Sequence, residues 1–153
     1  MKRKIIAVLL CFLLLAGGCA STPKTAFENV NWGMSREEVK SSKPDGKIVD
    51  GPSENVLNEL QTDETELFPG QKVSIAYVFT DDRLTGITVQ LFKEENQTLK
   101  DAMAQTQELL SIKYGHGAQA EENTWKDELS TIRLEALEGS ESSYIVLFMP
   151  TEG

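Results

Sequence analysis

Residues 73–92 read VSIAYVFTDDRLTGITVQLF and carry the clearest alternating pattern in the chain. Every second residue of the first half is apolar, at Val73, Ile75, Tyr77 and Phe79, and Leu84 to Phe92 repeats the spacing at Ile87, Val89 and Leu91. Side chains two residues apart lie on the same face of a strand, so each half predicts a strand. The intervening Thr80-Asp81-Asp82-Arg83 is typical of a turn, and the stretch therefore predicts a β-hairpin.

A short helix is predicted before the hairpin. Ser35 is followed three residues later by Glu38, which is the spacing of a capping box. The helix should begin at Arg36, and it must end before Pro44, because the residue preceding a proline is disfavoured in the helical conformation.

A longer helix is predicted after the hairpin. Asn96 or Thr98 would cap it, and Gly115 would end it. Five of its residues fall on one helical stripe, namely Leu99, Met103, Thr106, Leu110 and Tyr114.

Further strands are predicted before the hairpin and after the longer helix. Val56 to Leu60 is either a short strand or one helical turn. Trp125 opens a last β section, in which Thr131 to Leu137 alternates, a turn falls at Glu138 to Glu141, and Tyr144 to Met149 is continuously apolar. Such a continuous run is typical of a central strand that is buried on both faces.

These elements predict an α+β fold for residues 27–153, as a single domain. Their order is helix, hairpin, helix, hairpin, and it suggests two weakly similar halves. We expect one antiparallel sheet with the two helices packed on one face.

The amino terminus has the features of an export signal. Lys2, Arg3 and Lys4 precede eleven apolar residues, Ile5 to Leu15, and small residues follow. The apolar run is shorter than the roughly 20 residues that a membrane-spanning helix needs. We therefore expect residues 1–18 to be a cleaved signal peptide.

Cys19 follows the small residues directly. The run Leu15-Ala16-Gly17-Gly18-Cys19 resembles the lipobox of bacterial lipoproteins, which implies that a diacylglycerol is attached to Cys19. The only other cysteine, Cys11, lies within the signal, so Cys19 would have no disulfide partner after cleavage. Residues 19–26 would then form a lipidated tether. The alternative is an ordinary secreted protein with an incidental cysteine.

The exported part is strongly acidic. Loss of residues 1–18 would remove three basic residues and no acidic ones, which changes the net charge from −9 to −12 over 135 residues. Nucleic acid and anionic lipid headgroups would be repelled by this charge. We therefore expect the lipid, and not the protein surface, to hold the chain at the cell membrane or outer membrane.

Several local motifs resemble those of a known class. The run Trp32 to Val39, the run Tyr77 to Leu84, Lys113-Tyr114-Gly115 and Trp125 resemble small bacterial lipoproteins with a WGMSxEEV-type motif. More distantly they are similar to the class that includes SmpA/BamE and β-lactamase inhibitor protein. The resemblance covers roughly residues 27–149 and bears on the fold more than on the function.

The side chains that could take part in catalysis do not form a recognisable catalytic motif in the sequence. His116 is the only histidine, and no nucleophile-elbow sequence accompanies it. The adjacent acids are Asp81-Asp82, Glu94-Glu95 and Glu121-Glu122, and neighbours in a strand point to opposite faces. Asp81 and Asp82 suit a turn, and the others suit a solvated surface. We expect no catalytic residue, no metal and no cofactor.

The leading hypothesis is a non-enzymatic, lipid-anchored protein that binds another envelope protein through its sheet or its helix-free face. The candidate contact residues are Trp32, Tyr77, Asp81, Asp82 and Arg83. Trp32 and Trp125 could instead fill the core. A second hypothesis is a small-ligand carrier with a pocket between the sheet and the second helix, lined by Met103, Leu110 and Trp125. An enzyme is a third.

Overall fold

The computed structural model describes residues 25–43, 46–63, 65–115 and 123–151 and contains the predicted hairpin. Its strands are β-strands Val73–Thr80 and Arg83–Phe92, paired in antiparallel register from Val73 with Leu91 to Thr80 with Arg83. Asp81 and Asp82 form the turn with φ angles of 50° and 54°. Turns with two positive φ angles match the twist of the flanking strands, and aspartate tolerates them. The hairpin prediction is confirmed.

The remaining strands extend this hairpin on both sides. In chain order the elements are α1 (Arg36–Ser41), β1 (Ile48–Asp50), β2 (Val56–Thr62), β3 (Val73–Thr80), β4 (Arg83–Phe92), α2 (Leu99–Tyr114), β5 (Thr124–Lys126), β6 (Ser130–Ala136) and β7 (Ser143–Pro150). All neighbouring strands are antiparallel, and their spatial order is β1-β2-β3-β4-β7-β6-β5. The sequence allowed either a strand or a helical turn at Val56 to Leu60, and the strand is confirmed.

The predicted fold class is wrong in its architecture. The described chain is mainly a seven-stranded antiparallel sheet, not two hairpins under a layer of two helices. Strands β1 and β5 have three residues each, which is too short to show a period in the sequence. Helix α1 has six residues and buries only Val39, so it forms less than a layer.

The predicted helix ends are confirmed. The Ser35 side chain accepts a hydrogen bond from the Glu38 amide, and the Glu38 carboxylate accepts one from the Ser35 amide at 2.8 Å. Thr98 caps α2 by accepting from the Asp101 amide, and Gly115 ends the helix at φ 83°. Neither described helix is long and apolar enough to cross a membrane.

One face of the sheet carries the core. The buried side chains alternate along each central strand and include Tyr77, Ile87, Val89, Val146 and Phe148. Helix α2 covers them with Ala102, Thr106 and Leu110, but irregular chain covers the rest, through Phe27, Val30, Leu67 and Phe68. The Phe27 and Phe148 rings lie 5.0 Å apart. Loops therefore contribute as much to this layer as the helices do.

Candidate interaction surface

The other face of the sheet has no described element over it. Its side chains alternate with the core residues along the same strands. The central members, which we call the open face, are Ala76, Val78, Thr88, Gln90, Thr131, Arg133, Glu135, Ile145, Leu147 and Met149. Helix α2 lies on the opposite side, where the Thr106 and Tyr144 hydroxyls are 2.8 Å apart.

An apolar line runs through the open face along β7. Ile145, Leu147 and Met149 are half-buried, and none of them belongs to the core cluster or to the side chains packed against it. The register places Leu147 between Thr88 of β4 and Arg133 of β6. Leu147 therefore lies between side chains of the two neighbouring strands.

The open face is almost free of charge, although the whole protein has a net charge of −9. Its charged members are Arg133 and Glu135, and they form a 3.0 Å ion pair. Depletion of charged residues together with apolar side chains is typical of the centre of a protein–protein interface. Such a surface can be desolvated at low cost.

The sequence indicated this face only indirectly. The continuous apolar run from Tyr144 to Met149 predicts a strand buried on both sides. In the structure only Tyr144, Val146 and Phe148 of this run are buried in the core, and the residues that alternate with them lie on the open face. The apolar residues at positions 145, 147 and 149 were the sequence feature that indicated this face.

The predicted contact residues occupy two different environments. Asp81, Asp82 and Arg83 are exposed at the hairpin tip, where Arg83 donates to the Gly33 carbonyl at 3.0 Å and Asp82 accepts from the Arg36 amide at 3.1 Å. The hairpin tip therefore lies beside the segment that contains Trp32. The Trp32 indole packs against the core and donates to the Leu129 carbonyl at 2.8 Å.

Tyr77 does not join that group, because it is fully buried on the core face. Its hydroxyl donates to the Glu59 carboxylate at 2.7 Å. Burial, followed by the negative charge of Glu59, raises the pKa of Tyr77 far above its ordinary value. The ring cannot reach a partner, so Tyr77 is a core residue and not a contact residue.

A buried ionic cluster surrounds Tyr77, and sequence reasoning missed it. The Lys43 ammonium donates to Glu28 at 2.9 Å and lies 3.3 Å from Glu59, and the Lys43 side chain is only 4% exposed. The Phe27 and Tyr77 rings lie 5.8 and 5.7 Å from the same nitrogen. Lysine is seldom buried without such partners. The cluster joins the amino-terminal turn to β2 and β3, which is a structural role.

The two acidic pairs that the structure describes do not converge on a reaction centre. Asp81 and Asp82 shape the hairpin turn, and Glu94 and Glu95 are exposed after β4. Within the ranges that the structure describes, no three His, Cys, Asp or Glu side chains come together in a way that could hold a metal ion. The other predicted groups lie outside those ranges: the signal peptide, Cys19, His116, and Glu121-Glu122.

The three residues predicted to line a ligand pocket do not line one cavity together. Leu110 and Trp125 are buried in the core, and the Trp125 indole donates to the Ser111 hydroxyl at 3.2 Å. Met103 packs against the core and borders a surface depression of about 400 Å³. That depression is lined by Leu99, Lys100, Met103, Ala104, Gln107, Asn123 and Leu134, without the other two predicted residues.

No protein-family model, curated protein or solved structure matches this chain. The resemblance to SmpA/BamE and β-lactamase inhibitor protein therefore stays a prediction from local motifs.

Proposed function

We propose that the protein is a non-enzymatic lipoprotein, anchored in the cell envelope through Cys19, that binds another envelope protein with the open face of its sheet. The supporting observation is a bare sheet face with an apolar line along β7 and a single exposed ion pair. The signal-peptide pattern predicted for residues 1–18 supports the location.

Monomeric proteins expose few large apolar patches, and those that persist mark interaction sites. A specific interface needs about 800 Å² from each partner. The central strands of the open face each have a hydrogen-bonded neighbour on both sides, which holds their backbone in place.

The test is photo-crosslinking in living cells. A benzophenone amino acid replaces Leu147 or Thr88 on the open face, or Ile112 as the control. Ile112 is also apolar, is 74% exposed, and lies on α2 at the other side of the sheet. We expect a protein adduct from the first two positions and none from the third.

A substitution provides the second arm of this test. Leu147→Asp should reduce the adduct formed from position 88, because it places an unpaired charge in a desolvated contact. Ile112→Asp should leave that adduct unchanged. Equal yields at positions 88, 147 and 112, or no adduct at positions 88 and 147, would refute the proposed function.

A further inference from the structure

The buried cluster around Lys43 contains more carboxylates than a salt bridge needs. The Lys43 ammonium lies 2.9 Å from Oε2 of Glu28 and 3.3 Å from Oε2 of Glu59, so two carboxylates share one cation. One carboxylate would balance the charge, and a second buried negative charge costs free energy. The additional carboxylate indicates that the cluster does more than neutralise a lysine.

Glu28 is held in an unusual backbone conformation. Its φ angle is 49°, in the left-handed region that residues other than glycine seldom adopt. It lies in a tight turn between Phe27 and Val30, whose backbones exchange hydrogen bonds at 3.1 and 2.9 Å. Glycine or asparagine would suit this position with less strain. Strained residues concentrate at functional sites, so the Glu28 side chain itself is the feature that needs an explanation.

The two carboxylate oxygens of Glu28 have different partners. Oε2 accepts from Nζ of Lys43, and Oε1 accepts from the Glu66 amide at 3.2 Å. A backbone amide directed at one carboxyl oxygen stabilises the negative charge that develops when a nucleophile attacks the carboxyl carbon. The other oxygen, Oε2, lies beside the nitrogen that would replace it.

We propose that Lys43 and Glu28 condense to an amide with release of one water, and that Glu59 transfers the protons. The ionic cluster that the structure describes is the state before the reaction, and freshly folded protein contains it. The product is a covalent cross-link between the amino-terminal turn and the segment that follows α1. Both reactants belong to the chain, so no added reagent is needed.

The reaction is balanced within the cluster. A proton moves from the Lys43 ammonium to Oε2 of Glu28, which gives a neutral amine and a carboxylic acid. The nitrogen attacks the carboxyl carbon, a C–N bond forms, and the Glu66 amide holds the negative charge on Oε1. Glu59 takes one proton from the nitrogen and returns it to Oε2 of Glu28, the bond from carbon to Oε2 breaks, and water leaves. Glu59 ends as the carboxylate that it was at the start.

The surroundings favour the amide over the ion pair. The Lys43 and Glu59 side chains are only 4% and 5% exposed, and the rings of Phe27 and Tyr77 lie 5.8 and 5.7 Å from the nitrogen. Buried charges carry a desolvation penalty, and the amide replaces two of them with a neutral group. The reacting groups are already in contact, so little further ordering is needed. The Tyr77 hydroxyl donates to Oε2 of Glu59 at 2.7 Å and thereby holds the proton carrier in place.

Peptide mass spectrometry tests the bond directly. The full-length protein is purified in detergent, unfolded and cut with trypsin. Trypsin separates residues 25–36 from residues 41–47 and removes residues 37–40, and Lys43 stays within the second peptide because trypsin does not cut before proline. An amide between Glu28 and Lys43 joins the two peptides into one species, which is lighter than their sum by one water.

Two variants separate the roles of the reacting groups. Lys43→Arg keeps a cation but supplies no amine, so no joined peptide should form. Glu59→Gln keeps an oxygen for the Tyr77 hydroxyl but cannot carry a proton, and it should slow formation of the joined peptide about a hundredfold or more. The exposed pair of Lys40 and Asp50, 3.4 Å apart, serves as the internal control and should stay unlinked. Circular dichroism checks that each variant keeps its fold.

We expect the joined peptide to accumulate with time in the folded parent and not in protein kept in guanidinium chloride. Absence of the joined peptide from the aged parent would overturn the inference, and this result needs no variant, so it remains decisive if a variant does not fold. Equal rates in the parent and in Glu59→Gln, or an amide between Lys40 and Asp50 formed as fast as the one at Lys43, would also overturn it. The proposed function is tested separately, because none of these measurements involves the open face.

Discussion

Replacement of Lys43 by methionine should destabilise the protein more than most single substitutions. Methionine matches the apolar stem of the lysine as far as Cε but lacks the ammonium group and its charge. Glu28 and Glu59 would then remain as carboxylates without their shared cation, at 15% and 5% side-chain exposure. The substitution therefore changes the charge balance of a buried cluster and leaves its packing nearly intact.

The magnitude follows from the burial of the pair. Removal of one partner from a buried ion pair costs about 3–5 kcal/mol, because the remaining charge has lost its counter-charge in a low-dielectric site. Glu59 keeps the hydrogen bond from Tyr77 at 2.7 Å, and Glu28 keeps the one from the Glu66 amide at 3.2 Å. These bonds place the expected loss toward the lower limit, at about 3 kcal/mol.

The assay is urea unfolding at neutral pH, followed by circular dichroism, on a chain that begins at residue 20. The matched control is the triple variant Lys43→Met, Glu28→Gln, Glu59→Gln. Glutamine at residues 28 and 59 retains an oxygen for the Glu66 amide and for Tyr77, but it carries no charge. The triple variant should therefore recover most of the stability that the single variant loses.

Two results would refute this reasoning. A loss below about 1 kcal/mol for Lys43→Met would show that the carboxylates do not depend on the ammonium group. A triple variant as unstable as the single one would show that the loss comes from packing of the lysine stem, not from unpaired charge.

Two further predictions concern Tyr114 and Cys19. Burial, followed by the negative charge of Asp127, raises the pKa of Tyr114 to about 12. Its neutral form is therefore favoured by folding, so this stabilisation is complete below about pH 10 and is lost as the pH rises to about 12. Urea unfolding should show the parent losing about 1–2 kcal/mol more than Tyr114→Phe over this range, after allowance for partial exposure, and equal losses would contradict it. Cys19→Ala should move the protein from the membrane to the soluble fraction on cell fractionation, because the lipid supplies the membrane affinity; unchanged partition would contradict the anchor.

Local features of this protein were accessible from the sequence because neighbouring residues establish them. The capping box at Ser35, the cap at Thr98 and the turn at Asp81 and Asp82 each involve residues within four positions of one another. The alternation of apolar residues in the hairpin likewise needs only the strand period. These predictions are confirmed without knowledge of the remaining fold.

The arrangement of the sheet was not accessible in the same way. A strand of three residues, such as β1 or β5, has too few positions to show a period, and it forms because a longer strand offers hydrogen bonds beside it. The bare side of β7 was missed for a similar reason, since an apolar run does not reveal which of its two faces another element will cover.

The sequence by itself determined the helix ends, the central hairpin and the strong negative charge, because each depends on composition or on contacts between near neighbours. Only the tertiary structure decided that Glu28, Lys43, Glu59 and Tyr77 form one buried cluster and that the residues of β7 alternate between core and open face. Both properties require segments that are distant in the chain to lie side by side. That pairing is stabilised by contacts across the whole sheet, which no local stretch of sequence contains.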